Sequence, residues 1–219
     1  QGDKNNYFNR NFISIPRAVE VFKNTCIPIY FIDGMFYKSG HYYGILIQLS
    51  AKNGNGGIIQ LCAAWLPCED TLNYVYFLTV MQSMKFDIIN NPFMSDRGHL
   101  IAAARYMETK FNVVISIKFC VEHIIRNVVQ KFNIERERLQ DLRTAINKLQ
   151  GASTFEAFQH KSSYVTQLDP KKGPLILLYL LKIHPYHWTT FGNRYDIKDS
   201  NWIKYYEDMI KELFVKTKT

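Results

Sequence analysis

Apolar residues come in short unbroken runs over the first half of the chain and recur every three or four positions over the second. Ile29-Tyr30-Phe31-Ile32 is such a run, closed by Asp33-Gly34. Four strand-favouring residues before an acid and a glycine predict a buried strand that stops at the carboxyl edge of a sheet. Tyr42-Tyr43-Gly44-Ile45-Leu46-Ile47-Gln48-Leu49 and Ile58-Ile59-Gln60-Leu61-Cys62-Ala63-Ala64-Trp65-Leu66 predict the second and third strands. Asn53-Gly54-Asn55-Gly56-Gly57 between them supplies a hairpin loop, so the three strands are expected to be antiparallel. Phe86 to Asn90 and Val113 to Phe119 predict strands four and five.

Helical spacing fills the gaps. Ala18, Val19, Val21 and Phe22 predict a short packing helix ahead of the first strand. Leu72, Val75, Tyr76, Leu78, Thr79 and Met81 predict a crossover helix over 69–85, with Glu69 and Asp70 at the positive end of its dipole. Leu100, Ile101, Ala104 and Met107 predict another over 98–110. From Val121 onward the pattern is almost wholly helical, with breaks at 151–153, 169–174 and near Gly192-Asn193. Within it, 134–150 reads as an amphipathic helix and Leu175 to Ile183 as a core-facing one, while Glu135-Arg136-Glu137-Arg138 reads as a solvated face. Strands mixed with crossover helices predict an α/β fold with a mixed five-stranded sheet flanked by helices.

Composition changes this picture in one respect. The 219 residues are 47% hydrophobic, enough for a substantial core, and carry a formal charge of +8, which favours an anionic partner such as nucleic acid. No apolar run approaches the roughly 20 residues of a membrane-spanning helix, so no membrane partner is expected. Cys26, Cys62, Cys68 and Cys120 have no CxxC spacing, and with no secretory signal at the N-terminus they suit a reducing compartment. A start at Gln-Gly-Asp is what a fragment of a longer protein would give.

Candidate chemistry begins at Asp33. Asp-Gly at a strand end either starts a turn or delivers a carboxylate to a site. A second acid, Asp96 in Asn90-Asn91-Pro92-Phe93-Met94-Ser95-Asp96-Arg97, again follows apolar residues and precedes a helical pattern, so the two are candidates for one metal site.

These residues resemble a known family, the Mutator-like element (MULE) transposase domain, a DDE-type integrase with an RNase H-like fold. The resemblance rests on short motifs in the family's order, spanning about residues 10–210. They are Ile32-Asp33-Gly34-Met35-Phe36, Glu69 in a Pro-x-Glu context, Ser95-Asp96-Arg97-Gly98, Phe119-Cys120-Val121-Glu122-His123-Ile124-Ile125-Arg126-Asn127, His187-Trp188, and Asp199-Ser200-Asn201.

What the resemblance implies is an RNase H-like core over 1–133, an all-helical insertion over 134–192, and a C-terminal helix over 193–219 that returns to the core. It implies metal-dependent cleavage and strand transfer on DNA, with Asp33 and Asp96 as the first two acids holding Mg²⁺ or Mn²⁺. It also implies homo-oligomers and a nuclear location. The family's third acid is a glutamate three residues after Ser-Asn, and here Lys204 stands at that place. A lysine repels a cation, so Glu207, one helical turn on, is the substitute candidate and Asp199 a weaker one. Without a substitute, the chain would be a domesticated, non-cutting derivative that binds DNA or protein.

Other motif residues keep two readings each. Cys120 and His123, with His184 and His187, have zinc-ligand spacing, and a buried cysteine with a hydrogen-bonded histidine is the alternative. Arg97, Arg126 and Asn127 either contact the DNA backbone or cap helices. Trp202, Tyr205 and Tyr206 either stack on bases or pack a helical face.

Overall fold

The computed structural model describes residues 9–39, 42–96 and 98–195. Lys204, Glu207, Asp199, Arg97, the aromatic residues at 202–206 and nearly all of the C-terminal helix expected over 193–219 lie outside the described residues. The chain divides after Lys118 into two compact units.

The first unit is built on a mixed six-stranded sheet. Its strands are β1 (Asn11–Ser14), β2 (Tyr30–Ser39), β3 (Tyr42–Lys52), β4 (Ile58–Leu66), β5 (Phe93–Ser95) and β6 (Ile117–Phe119), in the order β1-β4-β3-β2-β5-β6. β2, β3 and β4 form an antiparallel meander and β5 runs parallel to β2. Set the edge strand β1 aside, and the other five strands make the mixed, helix-flanked sheet that the strand and crossover-helix pattern predicts. Helices α1 (Ala18–Thr25), α2 (Thr71–Ser83) and α3 (His99–Phe111) flank it.

The meander follows its sequence closely. Ile45, Ile47, Leu49, Leu61, Ala64 and Leu66 are fully buried, and the β3–β4 turn is closed by Asn53, whose Oδ1 accepts from the Asn55 and Gly57 amides at 3.1 and 2.7 Å. Gly56 in that turn has φ +79°, a conformation only glycine adopts freely. Tyr30 ties three elements together: its ring stacks on Phe22 of α1 at 4.3 Å and meets Phe93 of β5 at 5.1 Å.

Four expectations need correction. The first strand does not stop at Asp33, because β2 pairs with β3 as far as Ser39↔Tyr42, which leaves Asp33 in its fourth position. The segment 86–90 is a turn and the strand comes later, at Phe93. There Asp87 accepts from the Asn90 amide at 3.0 Å and its carbonyl from Asn91 Nδ2 at 2.9 Å, so side chains capture the backbone that a ladder would need. The fifth predicted strand shortens to β6. Finally, β1 was not foreseen, since its four residues owe their conformation to pairing with β4 from Asn11↔Trp65 to Ser14↔Cys62.

The second unit is helical: α4 (Val121–Phe132), α5 (Leu139–Gln150), α6 (Phe155–Thr166), α7 (Lys172–Leu181) and α8 (Thr190–Tyr195). Thr154 caps α6 through the Ala157 amide at 3.1 Å, and Asp169 opens α7 by accepting from the Lys171 and Lys172 amides at 2.8 Å each. Phe158 packs against Trp188 and Phe191 in the core of this unit. Gly173 is required where α7 meets α6, for a Cβ there would run into the Thr166 carbonyl oxygen.

Candidate active site

The parallel register carries the two acids to one level. Tyr30 pairs with Phe93 and Phe31 with Met94, the last pair of the ladder; carried two residues on, that register sets Asp33 level with Asp96, which stands one residue past the end of β5. Burial alternates in step: Tyr30 and Ile32, like Phe93 and Ser95, are buried, whereas Phe31 and Asp33, like Met94 and Asp96, are open or half-open. Both carboxylates therefore sit on the less buried face of their strands.

Each carboxylate is oriented locally. Asp33 Oδ1 accepts from the Gly34 amide at 3.0 Å. Asp96 Oδ1 accepts from the Gly98 amide at 3.1 Å and from Ser95 Oγ at 3.4 Å. Gly98 is the N-cap of α3, so the Asp96 carboxylate sits near the partial positive charge of that helix end.

A third carboxylate and a phenol complete the cluster. Asp70 caps α2 through the Asn73 amide at 2.8 Å, which sets Glu69 just ahead of the helix and turns Tyr74 back toward it. Tyr74 is 3% exposed, and its hydroxyl donates to Glu69 Oε1 at 3.3 Å. Burial pushes that phenol well above its ordinary range, and the charges of Glu69, then Asp96, then Asp33 push it the same way. One buried hydroxyl thus senses all three acids. Two glycines make room for the cluster. A Cβ at Gly98 would lie 3.0 Å from Asp96 Oδ1 and 3.5 Å from Glu69 Oε1, and one at Gly34 would lie 2.8 Å from Ile45 Cδ1 and 3.5 Å from the Tyr74 hydroxyl. Sequence reasoning placed Glu69 among the motifs without a site role and did not single out Tyr74. The signal was available, because a tyrosine buried on a helix needs a partner for its hydroxyl and Glu69 stands five residues before it.

The donor set consists of carboxylate oxygens, which fits a hard divalent cation such as Mg²⁺ or Mn²⁺. Among the described residues, no three His, Cys, Asp or Glu side chains converge closely enough to enclose a metal ion.

The cysteine–histidine motif lies in the second unit. Cys120 is the half-buried N-cap of α4, and His123 follows in its first turn, with Nδ1 buried and without a hydrogen-bond partner. His187 stacks on Phe119 at 4.6 Å and meets His184 edge-on at 6.1 Å, while His184 Nδ1 accepts from the Tyr186 amide at 3.3 Å. His184 thus has a capping role and His187 a ring-packing one. Arg126 is exposed on α4 and Asn127 half-buried.

No protein-family model matches the chain, and no curated protein matches it. Among solved structures, the HTLV-2 integrase catalytic core domain in complex with magnesium, in its dimeric form, is similar at 18% identity and a TM-score of 0.30, over 56% of this chain and 84% of that one. Its trimeric form is similar at 15% identity and a TM-score of 0.31, over 57% and 86%. Similarity of this degree carries no inference about activity. What stands on its own is the mixed sheet with Asp33 in β2 and Asp96 one residue past the end of the neighbouring parallel strand β5.

Proposed function

We propose that this chain is a DDE-type transposase or integrase-like domain that acts on DNA by metal-dependent phosphoryl transfer, of the Mutator-like kind its motif series resembles. The observation that supports this best is the parallel register that, carried two residues on, sets Asp33 level with Asp96. Two carboxylates at one level, with Glu69 beside Asp96, concentrate negative charge where a phosphate could approach only alongside cations. Mg²⁺ or Mn²⁺ held there would supply Lewis-acid charge to the attacking and leaving oxygens of an in-line displacement.

The chain's own contribution is positional. Gly98 and Ser95 hold the Asp96 carboxylate, Gly34 turns the Asp33 carboxylate, and Tyr74 fixes one Glu69 oxygen. In this reading Glu207 completes the acid set from the C-terminal segment, and the positive balance of the chain draws the DNA backbone. A nuclear location and a homo-oligomer that brings two DNA ends together belong to the same proposal.

Lys204 favours a second reading, a domesticated domain that binds DNA without cutting it. Incubation with supercoiled plasmid and Mn²⁺ separates the two. Nicking by the parent protein that is lost in Asp96→Asn supports catalysis. Retention of plasmid without nicking supports the binding form, and neither retention nor nicking sinks both.

A further inference from the structure

The helical unit holds a cavity that the proposed function does not use. It lies between the α4–α5 connection over 133–138 and the α6–α7 connection over 167–171, and encloses about 90 Å³. Its floor is aliphatic: Leu142 of α5 and Ile176 of α7 are each 1% exposed, and half-buried Ile134 and Leu168 join them. Apolar cavities of about 150 Å³ take up a benzene ring, so this one has room for a branched group of about four carbons.

The charged groups of the rim decide what such a guest must carry. Arg138 reaches the α6–α7 connection, where Nη1 donates to Asp169 Oδ2 at 2.7 Å and to the Leu168 carbonyl at 3.3 Å. Lys172 reaches back to the α4–α5 connection, and its Nζ donates to the Asn133 carbonyl at 3.0 Å. Both Asp169 oxygens are occupied, since Oδ1 accepts from the Lys171 and Lys172 amides. The cations are less committed. Among the described residues, Arg138 keeps the donors of Nε and Nη2, and the Lys172 ammonium keeps those it does not spend on Asn133. Glu135 is the remaining charge on the rim, and it is exposed to water and screened by salt. Spare donors on two cations beside an aliphatic floor suit a short aliphatic group that carries an anion. A carboxylate fits better than a phosphate, whose second charge would add repulsion from Glu135.

We propose that this cavity is a binding site for a carboxylate borne on a branched aliphatic group, with the carboxylate on Arg138 and Lys172 and the aliphatic end against Leu142 and Ile176. A short branched acid supplies that chemistry, and so does a peptide that ends in valine or leucine. The bound guest adds contacts between the two connections and stabilises the helical unit. The site lies wholly within that unit and owes nothing to Asp33 and Asp96, so its failure leaves the cation site standing.

The test is an NMR titration of the full chain, followed through the methyl signals of Leu142 and Ile176, with three probes. They are 3-methylbutanoate, 3-methylbutylamine, which has the same carbon skeleton and the opposite charge, and acetate, which has the head without the body. Saturable binding of 3-methylbutanoate is expected, with the amine and acetate weaker by about tenfold or more. Lys172→Met keeps the stem and removes the charge, and it is expected to weaken the acid about tenfold, the scale of one charged hydrogen bond. Leu168→Phe fills the cavity and is expected to abolish binding with the circular dichroism unchanged. No saturable shift in the parent overturns the proposal. Equal binding of the amine also overturns it and assigns the rim to Glu135, and equal binding of acetate reduces it to surface charge pairing. Unchanged affinity in a folded Lys172→Met variant overturns it as well. N-acetylleucine and its amide separate the two sources. N-acetylleucine that binds more tightly than 3-methylbutanoate, with binding lost in the amide, supports a peptide terminus, and the reverse order supports a free acid.

Discussion

Tyr74→Phe removes one oxygen from the middle of the acid cluster, and its cost can be worked from the structure. The hydroxyl is buried and donates to Glu69 Oε1 at 3.3 Å, long for a bond between oxygens. Hydrogen bonds to charged groups contribute about 1.5–3 kcal/mol, and the length of this one, with a half-buried acceptor, places it below that range, at about 1 kcal/mol. For a chain of this size that lowers the melting temperature by about 2–4 °C. Glu69→Ala alone is harder to read, because it removes the same bond and also relieves repulsion between Glu69 and Asp96. The pair therefore belongs in a double-mutant cycle followed by urea unfolding at neutral pH. A coupling of about 1 kcal/mol between positions 69 and 74 is expected. Additivity within about 0.3 kcal/mol would show that Tyr74 does not hold Glu69, and the three-acid cluster would lose its anchor.

Two further predictions concern pH and close packing. Burial pushes the Cys62 thiol from 9.0 up to about 12, so the fold favours the neutral form: that stability is complete below pH 9 and drains away as pH rises toward 12, by at most about 4 kcal/mol. Tyr30 and Tyr74, both raised mainly by burial, add losses of the same sign above pH 10. Urea melts across this range should show a shallower decline for Cys62→Ala than for the parent, and equal slopes would refute the assignment. Gly98→Ala places a methyl 3.0 Å from Asp96 Oδ1, so calorimetry should find Mn²⁺ affinity reduced several-fold with the melting temperature nearly unchanged. Unaltered affinity would mean that the Asp96 carboxylate works from another position.

The legible and illegible parts of this chain divide by the range of the interactions involved. β3 and β4 follow from local signals: β-branched runs on both sides of a loop whose Asn53 and Gly56 have one favourable arrangement. α2 and α3 emerge from periodicity within one or two residues of their ends. β5 was displaced because Phe86 and Ile88 are buried like strand residues while Asp87 winds the backbone into a turn, and an apolar count cannot distinguish the two. β1 exists only through its partner. For the site, the sequence announced two acids after apolar runs, but that they fall level depends on the β2–β5 register, which no local pattern encodes. Glu69 is held by a local bond from Tyr74 five residues on, but that this end of α2 meets Asp96 depends on the tertiary fold.

The central claim is that Asp33 and Asp96 form one cation site. Calorimetric titration of Mn²⁺ into the parent protein, Asp33→Asn and Asp96→Asn tests it most directly. Both substitutions keep the size of the side chain and remove one charge. The account predicts a binding event in the parent that either substitution alone weakens about tenfold or more, since each removes a ligand charge from the same ion. A parent that takes up no Mn²⁺, or one whose binding survives Asp33→Asn undiminished, would contradict it.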